Sequence, residues 1–104
     1  MDVLVPFDAL PWESPMPGVR FKAFVRGGQR LRLLEFSPGF EEPEWCTRGH
    51  AFHVLTGSFK LRTREGETRF AAGDVGFLPA GDAGAHKAVL GSEESARLLL
   101  FETV

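Results

Sequence analysis

The segment VRFKAFVR, at residues 19–26, shows the alternation that most constrains how this chain can fold. Val19, Phe21, Ala23 and Val25 fall on one face of an extended chain, and three of the four residues on the other face, at positions 20, 22, 24 and 26, are basic. Successive side chains of a β-strand point to opposite faces of the sheet. The segment is therefore predicted to form a strand that is buried on one face.

Seven further segments show short patterns of the same kind, and most of them are joined by glycine-containing turns. The predicted strands lie at residues 30–36, 51–55, 58–64, 68–72, 75–79, 86–90 and 96–104. Gly57 is expected to stop the strand at 51–55, since glycine favours turns. No segment shows a convincing helical repeat. Several short strands separated by glycine-rich turns predict an all-β fold, either a sandwich or a barrel.

Residues 1–18 differ from the rest of the chain, because four of the seven prolines lie there. Proline fixes φ and lacks an N–H donor, so regular strand pairing is disfavoured. The sequence predicts an extended N-terminal arm over 1–18 and a single barrel domain over 19–104. Some apolar side chains of the arm are expected to pack on the domain or on another subunit: Leu4, Phe7, Leu10 and Trp12.

Charge and cysteine content restrict the partners and the compartment. The net charge is -2 and the pI is about 5.9, so the basic surface that nucleic acid or an anionic membrane requires is not expected. A single cysteine cannot form an internal disulfide, and no signal peptide is visible in the first residues, so a cytoplasmic protein is expected. Asn, Ile and Tyr are absent and arginine outnumbers lysine, which suggests thermophily as a hypothesis.

The segment EWCTRGH, at residues 44–50, carries the side chains with the most distinctive chemistry. Glu44, Cys46 and His50 have the same parity as the apolar positions that follow, so all three are predicted to point into the barrel. His53 has the opposite parity and is predicted to face outward. Carboxylate, thiolate and imidazole are ligand types that divalent transition metals accept. The segment is therefore a candidate metal site.

With the glycines around it, this segment resembles the first sequence motif of small single-domain cupins. Gly39 and Gly57 match the glycines that open and close that motif. Glu44, Cys46 and His50 fall where the motif has two histidines and a glutamate. The side-chain types differ from the usual pattern, but each position keeps a group that can bind a metal.

A second motif extends the resemblance to roughly residues 30–101. Gly73, Pro79 and Gly81 match its glycine and Pro-x-Gly positions, and His86 matches its final histidine two residues further along the chain. The resemblance implies a double-stranded β-helix, or jelly-roll barrel, with a metal at its mouth. The implied metal ligands are Glu44, Cys46, His50 and His86.

This ligand set favours a divalent transition metal. A thiolate shifts the preference towards Zn or Fe, and Mn or Ni are also compatible. Four protein ligands would close a tetrahedral structural site, whereas three would leave a position open for catalysis. Each residue also has a plainer interpretation: Cys46 as a small buried hydrophobe, the histidines as core or loop residues, and Glu44 as part of an acidic surface loop. Pairing of Cys46 with a histidine as nucleophile and base is a further alternative.

A substrate pocket is expected beside these ligands. Its candidate lining residues are Phe40, Arg48, Phe52 and Phe77, which lie close to the ligand positions in sequence. For Phe52 and Phe77 a core position is the favoured interpretation, and for Arg48 the favoured interpretation is a turn residue. As a cation near the site, Arg48 is a candidate for orienting an anionic group of a substrate.

The resemblance implies a metal-dependent enzyme of the oxygenase, isomerase or lyase type that acts on a small organic molecule. A non-catalytic module that binds or senses a small ligand or a metal is the alternative, and a stable scaffold is a third. A homodimer is also implied, and the outward-facing residues Trp45, His53 and Leu55 are candidates for the subunit contact.

Overall fold

The computed structural model describes residues 1–104 and contains eight antiparallel strands. The strands are β1 (Glu13–Met16), β2 (Val19–Arg26), β3 (Gln29–Phe36), β4 (His50–Thr63), β5 (Gly66–Ala71), β6 (Val75–Leu78), β7 (His86–Val89) and β8 (Ala96–Thr103). Two short 3-10 turns, Phe7–Ala9 and Asp82–Gly84, are the only helical segments. The predicted all-β fold is confirmed. The chain has no helix with the length and apolar character needed to span a bilayer.

Strand β4 holds the two halves of the barrel together, because it pairs with four other strands. Its first half pairs with β6 and β8, and the sheet continues from β8 through β3 and β2 to β1. Its second half pairs with β5 and β7. One long strand therefore passes from one sheet to the other and closes the curled sheet around an apolar interior.

The prediction that Gly57 ends a strand was wrong, because β4 continues through it from His50 to Thr63. Gly57 has a φ of 79°, and a Cβ atom at this position would lie 1.9 Å from the carbonyl oxygen of Ser95. The pairing of β4 with β8 also shifts register between Val54 and Thr56. Glycine thus lets the chain bend against β8 and continue, where another residue would break the pairing.

Parity correctly assigns the buried face of β4. His50, Phe52 and Val54 are buried, whereas His53 and Leu55 are exposed. The inward side chains form one apolar core that includes the aromatic rings of Phe36, Phe40, Phe52 and Phe59. Their close packing gives the site a rigid apolar floor.

The N-terminal arm is more regular than its prolines suggest. Residues 13–16 form β1, which pairs with β2, although the register is irregular there. Lys22 donates a hydrogen bond from Nζ to the carbonyl oxygen of Phe7 at 2.8 Å, and the guanidinium of Arg20 lies 3.9 Å from the centre of the Trp12 ring. The arm therefore packs on the outer face of its own barrel. The boundary after residue 18 remains a prediction.

Replacing Gly57 by alanine is expected to destabilise the protein much more than replacing Gly39. Both glycines have nearly the same φ, 79° and 78°, but a Cβ at Gly39 would have no neighbour within 4 Å. Gly39→Ala should cost only the backbone penalty, about 1 kcal/mol. Gly57→Ala should add the clash with Ser95, for a total of about 3 kcal/mol or more. Urea unfolding measures both, and equal losses would contradict the role assigned to Gly57.

Candidate metal centre

Cys46, His50 and His86 come together at one end of the barrel. Cys46 and His86 face each other as an isolated antiparallel pair: the N–H of Cys46 donates to the His86 carbonyl oxygen at 2.9 Å, and the reverse bond is 3.0 Å. His50 is the first residue of β4. The nitrogen and sulfur atoms that these three side chains offer as ligands all lie within 4.8 Å of one another.

Neighbouring groups orient both imidazole rings. His86 Nδ1 lies 2.8 Å from the carbonyl oxygen of Gly84. Because a carbonyl oxygen can only accept, Nδ1 donates and Nε2 is left free to act as a ligand. His50 Nε2 lies 3.5 Å from the sulfur of Cys46, and its Nδ1 lies 2.9 Å from Glu102 Oε2. The latter contact is electrostatic, since the ring N–H is not well aligned with the oxygen. Such outer partners orient metal-binding histidines.

The thiol of Cys46 is strongly acidified. Hydrogen bonds from His50 and then from His86 lower the pKa of Cys46 to about 5, against the opposing effect of burial. Burial would lower the pKa of His86, but the hydrogen bond to the Cys46 sulfur and the bond to the Gly84 carbonyl raise it above its ordinary value. The cluster therefore holds a thiolate near neutral pH, which is the form that binds metals and attacks electrophiles.

Glu102 supports the cluster from the interior of the barrel. Its side chain is completely buried and it accepts a hydrogen bond from Arg30 Nε at 2.6 Å. Arg32 Nε lies 2.9 Å from the same carboxylate, and Arg48 Nε lies 3.9 Å from it. A buried carboxylate is costly unless cations and donors surround it. These cations therefore allow Glu102 to sit beside His50 as a charged group.

A cavity of about 310 Å³ opens beside the cluster. Its floor is mostly apolar and includes Phe36, Phe59 and Leu98. Its polar wall contains the three clustered side chains, together with Arg30, Arg32, Glu42 and Arg48. An apolar cavity with a few convergent polar groups is typical of a small-molecule site.

The structure does not bring Glu44 into the cluster. Residues 41–46 lie against residues 86–89, with Glu41 opposite Val89 and Cys46 opposite His86. The first segment is therefore two residues longer than the one it pairs with, and the extra residues bulge outward around a bend. The bulge breaks the parity that predicted an inward Glu44, and its side chain is exposed instead.

Glu42, two residues before Glu44, is the acidic side chain of this segment that lines the cavity. Its Oε1 accepts a hydrogen bond from the N–H of Ala88 at 2.8 Å, which fixes the carboxylate in the wall of the cavity. Burial raises the pKa of Glu42 above its usual range, and the negative charge of Cys46 adds to this. A carboxyl group with a raised pKa in a cavity is suited to proton transfer.

Three of the four predicted pocket residues line the cavity, and Phe77 does not. Phe40, Arg48 and Phe52 contribute to its wall. Phe77 is 80% exposed, because the buried face of β6 belongs to Gly76 and Leu78. A Cβ at Gly76 would clash with the Phe52 ring, so that ring occupies the space on the inner side of β6.

Cys46, His50 and His86 fit a divalent transition metal in donor type and in spacing. Thiolate and imidazole are both common ligands of such ions, and the carboxyl group of Glu42 lies near them in the cavity wall. The cluster could therefore bind a metal. Metal ligation by these residues remains a prediction, and the geometry does not select among the metals.

Solved structures show which fold this is. The chain superposes on the polyketide cyclase RemF from Streptomyces resistomycificus with a TM-score of 0.82 and 23% identity, covering 99% of this chain and 80% of that one. The chain therefore has the cupin fold, which is a double-stranded β-helix. An RmlC-like cupin from Shewanella frigidimarina aligns with a TM-score of 0.80 and 16% identity, covering 99% and 91%. No protein-family model and no curated protein sequence matches the chain.

A third cupin barrel is a sugar phosphate isomerase from Silicibacter pomeroyi, with a TM-score of 0.79 and 19% identity, covering 97% of this chain and 75% of that one. The neighbouring cupins thus include proteins with different activities. The predicted jelly-roll fold is confirmed, and identities this low establish the fold alone.

Sequence reasoning missed the residues that surround the cluster from β3 and β8. Glu102 has the same parity as the buried Leu98 and Leu100, so the strand pattern could have placed it inside. Arg30 and Arg32 share the parity of the buried Leu34 in the same way. A charged residue at an inward position of a strand is therefore the sequence pattern that indicates these site residues.

In the metal-free protein, Cys46 is expected to react with iodoacetamide well below the pH at which a free thiol does. The midpoint of its rate profile should lie at a pH of about 5, because the thiolate persists above the lowered pKa. His86→Gln should move the midpoint upward. The control His53→Gln alters an exposed histidine on the opposite face and should have no effect. A parent midpoint near pH ~8.5 would contradict the described geometry.

Proposed function

We propose that this protein is a metal-dependent enzyme that acts on a small organic molecule inside the barrel. The observation that carries the proposal is the cluster of Cys46, His50 and His86 at the wall of the cavity. Three protein ligands leave a coordination position open, as catalytic metal sites require. A molecule bound in the cavity would lie next to these ligands, since all three line its wall.

Zinc or iron is the metal that the donor set favours, and manganese or nickel are also compatible. A thiolate ligand argues against magnesium and calcium, which prefer oxygen. When bound, such an ion supplies a Lewis acid that polarises a substrate oxygen. Glu102 orients His50 so that its ring can bind the metal, and the carbonyl oxygen of Gly84 orients His86 in the same way.

Among the possible reaction types, an isomerase or lyase has the most support, because Glu42 can move a proton. Its Oε1 is held by the N–H of Ala88, and its Oε2 is left for exchange with a bound molecule. The raised pKa brings the protonated and ionised forms of Glu42 closer in population near neutral pH. A substrate hydrogen next to a carbonyl group could be removed and returned by this carboxylate. The sugar phosphate isomerase among the structural neighbours fits the same reaction type.

A non-catalytic module that holds or senses a metal is the second candidate. The position of the Glu42 carboxylate near the cluster supports this second candidate. If that carboxylate became a fourth ligand, the site would be closed and tetrahedral, as structural sites are. The two candidates therefore differ in whether a small external ligand can reach the metal.

After loading with Zn²⁺ and gel filtration, the protein is expected to retain one zinc ion per chain. Cys46→Ala and His86→Ala should each abolish this retention, because each removes one of three ligands. Glu44→Gln should retain zinc, since its side chain lies outside the cluster, and His53→Ala is the matched histidine control. Elemental analysis measures the content. Loss of zinc in Glu44→Gln, or its retention in Cys46→Ala, would contradict the assigned ligand set.

The cobalt-loaded protein then separates the two candidate functions. A thiolate-to-cobalt charge-transfer band should confirm the sulfur ligand, and added azide should shift the visible spectrum in a saturable way. An open position explains such a shift. A spectrum unaffected by azide would favour the closed binding or sensing module.

We also propose that the barrel forms a homodimer through the outer face of the sheet that contains β8. The outward side chains of neighbouring strands make this face apolar, and they include Leu33, Val75, Phe77, Leu99 and Phe101. Phe77 and Val75 are 80% and 70% exposed, which is unusual for side chains on one continuous apolar face. Trp45 is a weaker candidate for the contact than expected, because Arg64 and Lys87 cover its ring.

Phe77→Glu is expected to convert a dimer to a monomer at micromolar concentration, since it would bury a charge in the interface. Thr68→Glu is the matched control, because it adds the same charge to an exposed position of β5 in the other sheet. Size-exclusion chromatography with light scattering gives the mass of each. A monomeric parent, or a dimer that survives Phe77→Glu, would argue against this interface.

A further inference from the structure

The cavity wall carries more positive charge than the surrounding protein neutralises. Arg30, Arg32 and Arg48 all line the cavity, and all three lie within 4.0 Å of a single carboxylate, Glu102. One negative charge therefore faces three positive charges. His50 also contacts the Glu102 carboxylate, so fewer of its acceptor positions are left for the arginines.

The other two acidic groups of the cavity are engaged elsewhere. The charged neighbours of Glu42 are Cys46, His86 and His50. The sulfur of Cys46 faces the same two histidines. Neither group has an arginine side chain of the cavity among these neighbours, so the arginines keep their excess of positive charge.

The arginines also have more hydrogen-bond donors than the protein can use. Each guanidinium has five N–H donors, whereas a carboxylate has about four acceptor positions. Arg32 Nε is buried, and although it lies 2.9 Å from Glu102 it makes no well-aligned hydrogen bond. Arg48 Nε is 3.9 Å from the carboxylate, which is too far for a hydrogen bond, and its side chain is half exposed. Arg32 Nη2 donates to Glu102 Oε2 at 3.4 Å, and its other Nη donors are left over. Donors of Arg48 and these terminal donors of Arg32 are thus available to an oxygen atom in the cavity.

The rest of the cavity is suited to an apolar group. Phe36, Phe40, Phe59 and Leu98 form part of its lining. A volume of about 310 Å³ is at the lower end of the range for ligand pockets, so the occupant must be small. Charge and shape together describe a molecule with a compact apolar body and one anionic group.

We propose that the cavity binds a small organic acid, with its anionic group held by Arg32 and Arg48 and its apolar body on the aromatic floor. A carboxylate offers two oxygens to the planar fork of a guanidinium, and a phosphate ester can also bind it through two oxygens. The step from ligand to substrate rests on the proposed enzymatic function. Binding of the anion itself depends only on the arginines and the apolar floor.

Isothermal titration calorimetry with matched probes tests this inference at low ionic strength, where screening is weak. The anionic probes are benzoate, hexanoate and phenyl phosphate, and the neutral controls are benzyl alcohol and 1-hexanol. We expect at least one anionic probe to bind and the neutral controls to bind at least about tenfold more weakly. Comparison of phenyl phosphate with the two carboxylates shows which anion is preferred. No binding by any anionic probe, or equal binding of the alcohols, would overturn the proposal.

Arg48→Gln is the variant that tests the role of the arginines without disturbing the core. We expect it to weaken binding of the preferred anion by about tenfold, and Arg48→Lys to weaken it less, because the charge is kept. Arg62→Gln is the control, since Arg62 is paired with Glu67 on the surface, away from the cavity. Unchanged affinity in Arg48→Gln would refute its assigned contact.

Titrations of metal-stripped and zinc-loaded protein separate this inference from the proposed function. Anion binding that persists in a protein unable to retain zinc supports the arginine site and contradicts only the metal proposal. Zinc retention without anion binding contradicts only the arginine site. Each result therefore assigns a failure to one proposal.

Discussion

The buried carboxylate of Glu102 is the interaction on which the polar side of this barrel depends. It lies on β8 inside a largely apolar interior, where an isolated negative charge would cost several kcal/mol. Arg30 and Arg32 reach it from β3, and His50 reaches it from β4. One side chain thus connects three strands of the sheet. It also orients a histidine of the cluster and places two cavity arginines.

The metal cluster depends equally on two irregular features of the backbone. The bulge before Cys46 turns its thiol towards His86 and removes Glu44 from the interior. The 3-10 turn at Asp82–Gly84 accommodates the two additional residues before His86, and the carbonyl oxygen of Gly84 orients the ring of that histidine. In one regular strand the Cα atoms of Cys46 and His50, four residues apart, would be separated by about 13 Å. The irregular segment between them therefore allows both side chains to reach His86.

Much of the fold could be predicted from the sequence, since alternation in strands directly reflects burial. The bounds of β2 and the inward direction of Cys46 and His50 followed from parity alone. Glu44 could not be placed correctly, because a bulge two residues long leaves no periodic trace in sequence. Gly57 was misjudged for a related reason: the glycine pattern of a turn is the same as that of a strand that bends and continues.

We propose that Cys46, His50 and His86 bind one metal ion and leave part of its coordination shell open. X-ray absorption spectroscopy of the zinc-loaded protein tests this most directly, because it counts the ligand atoms by type. We expect one sulfur at about 2.3 Å and two imidazole nitrogens at about 2.0–2.1 Å from the zinc ion, with one further light atom. A shell without sulfur, or with a single imidazole, would contradict it.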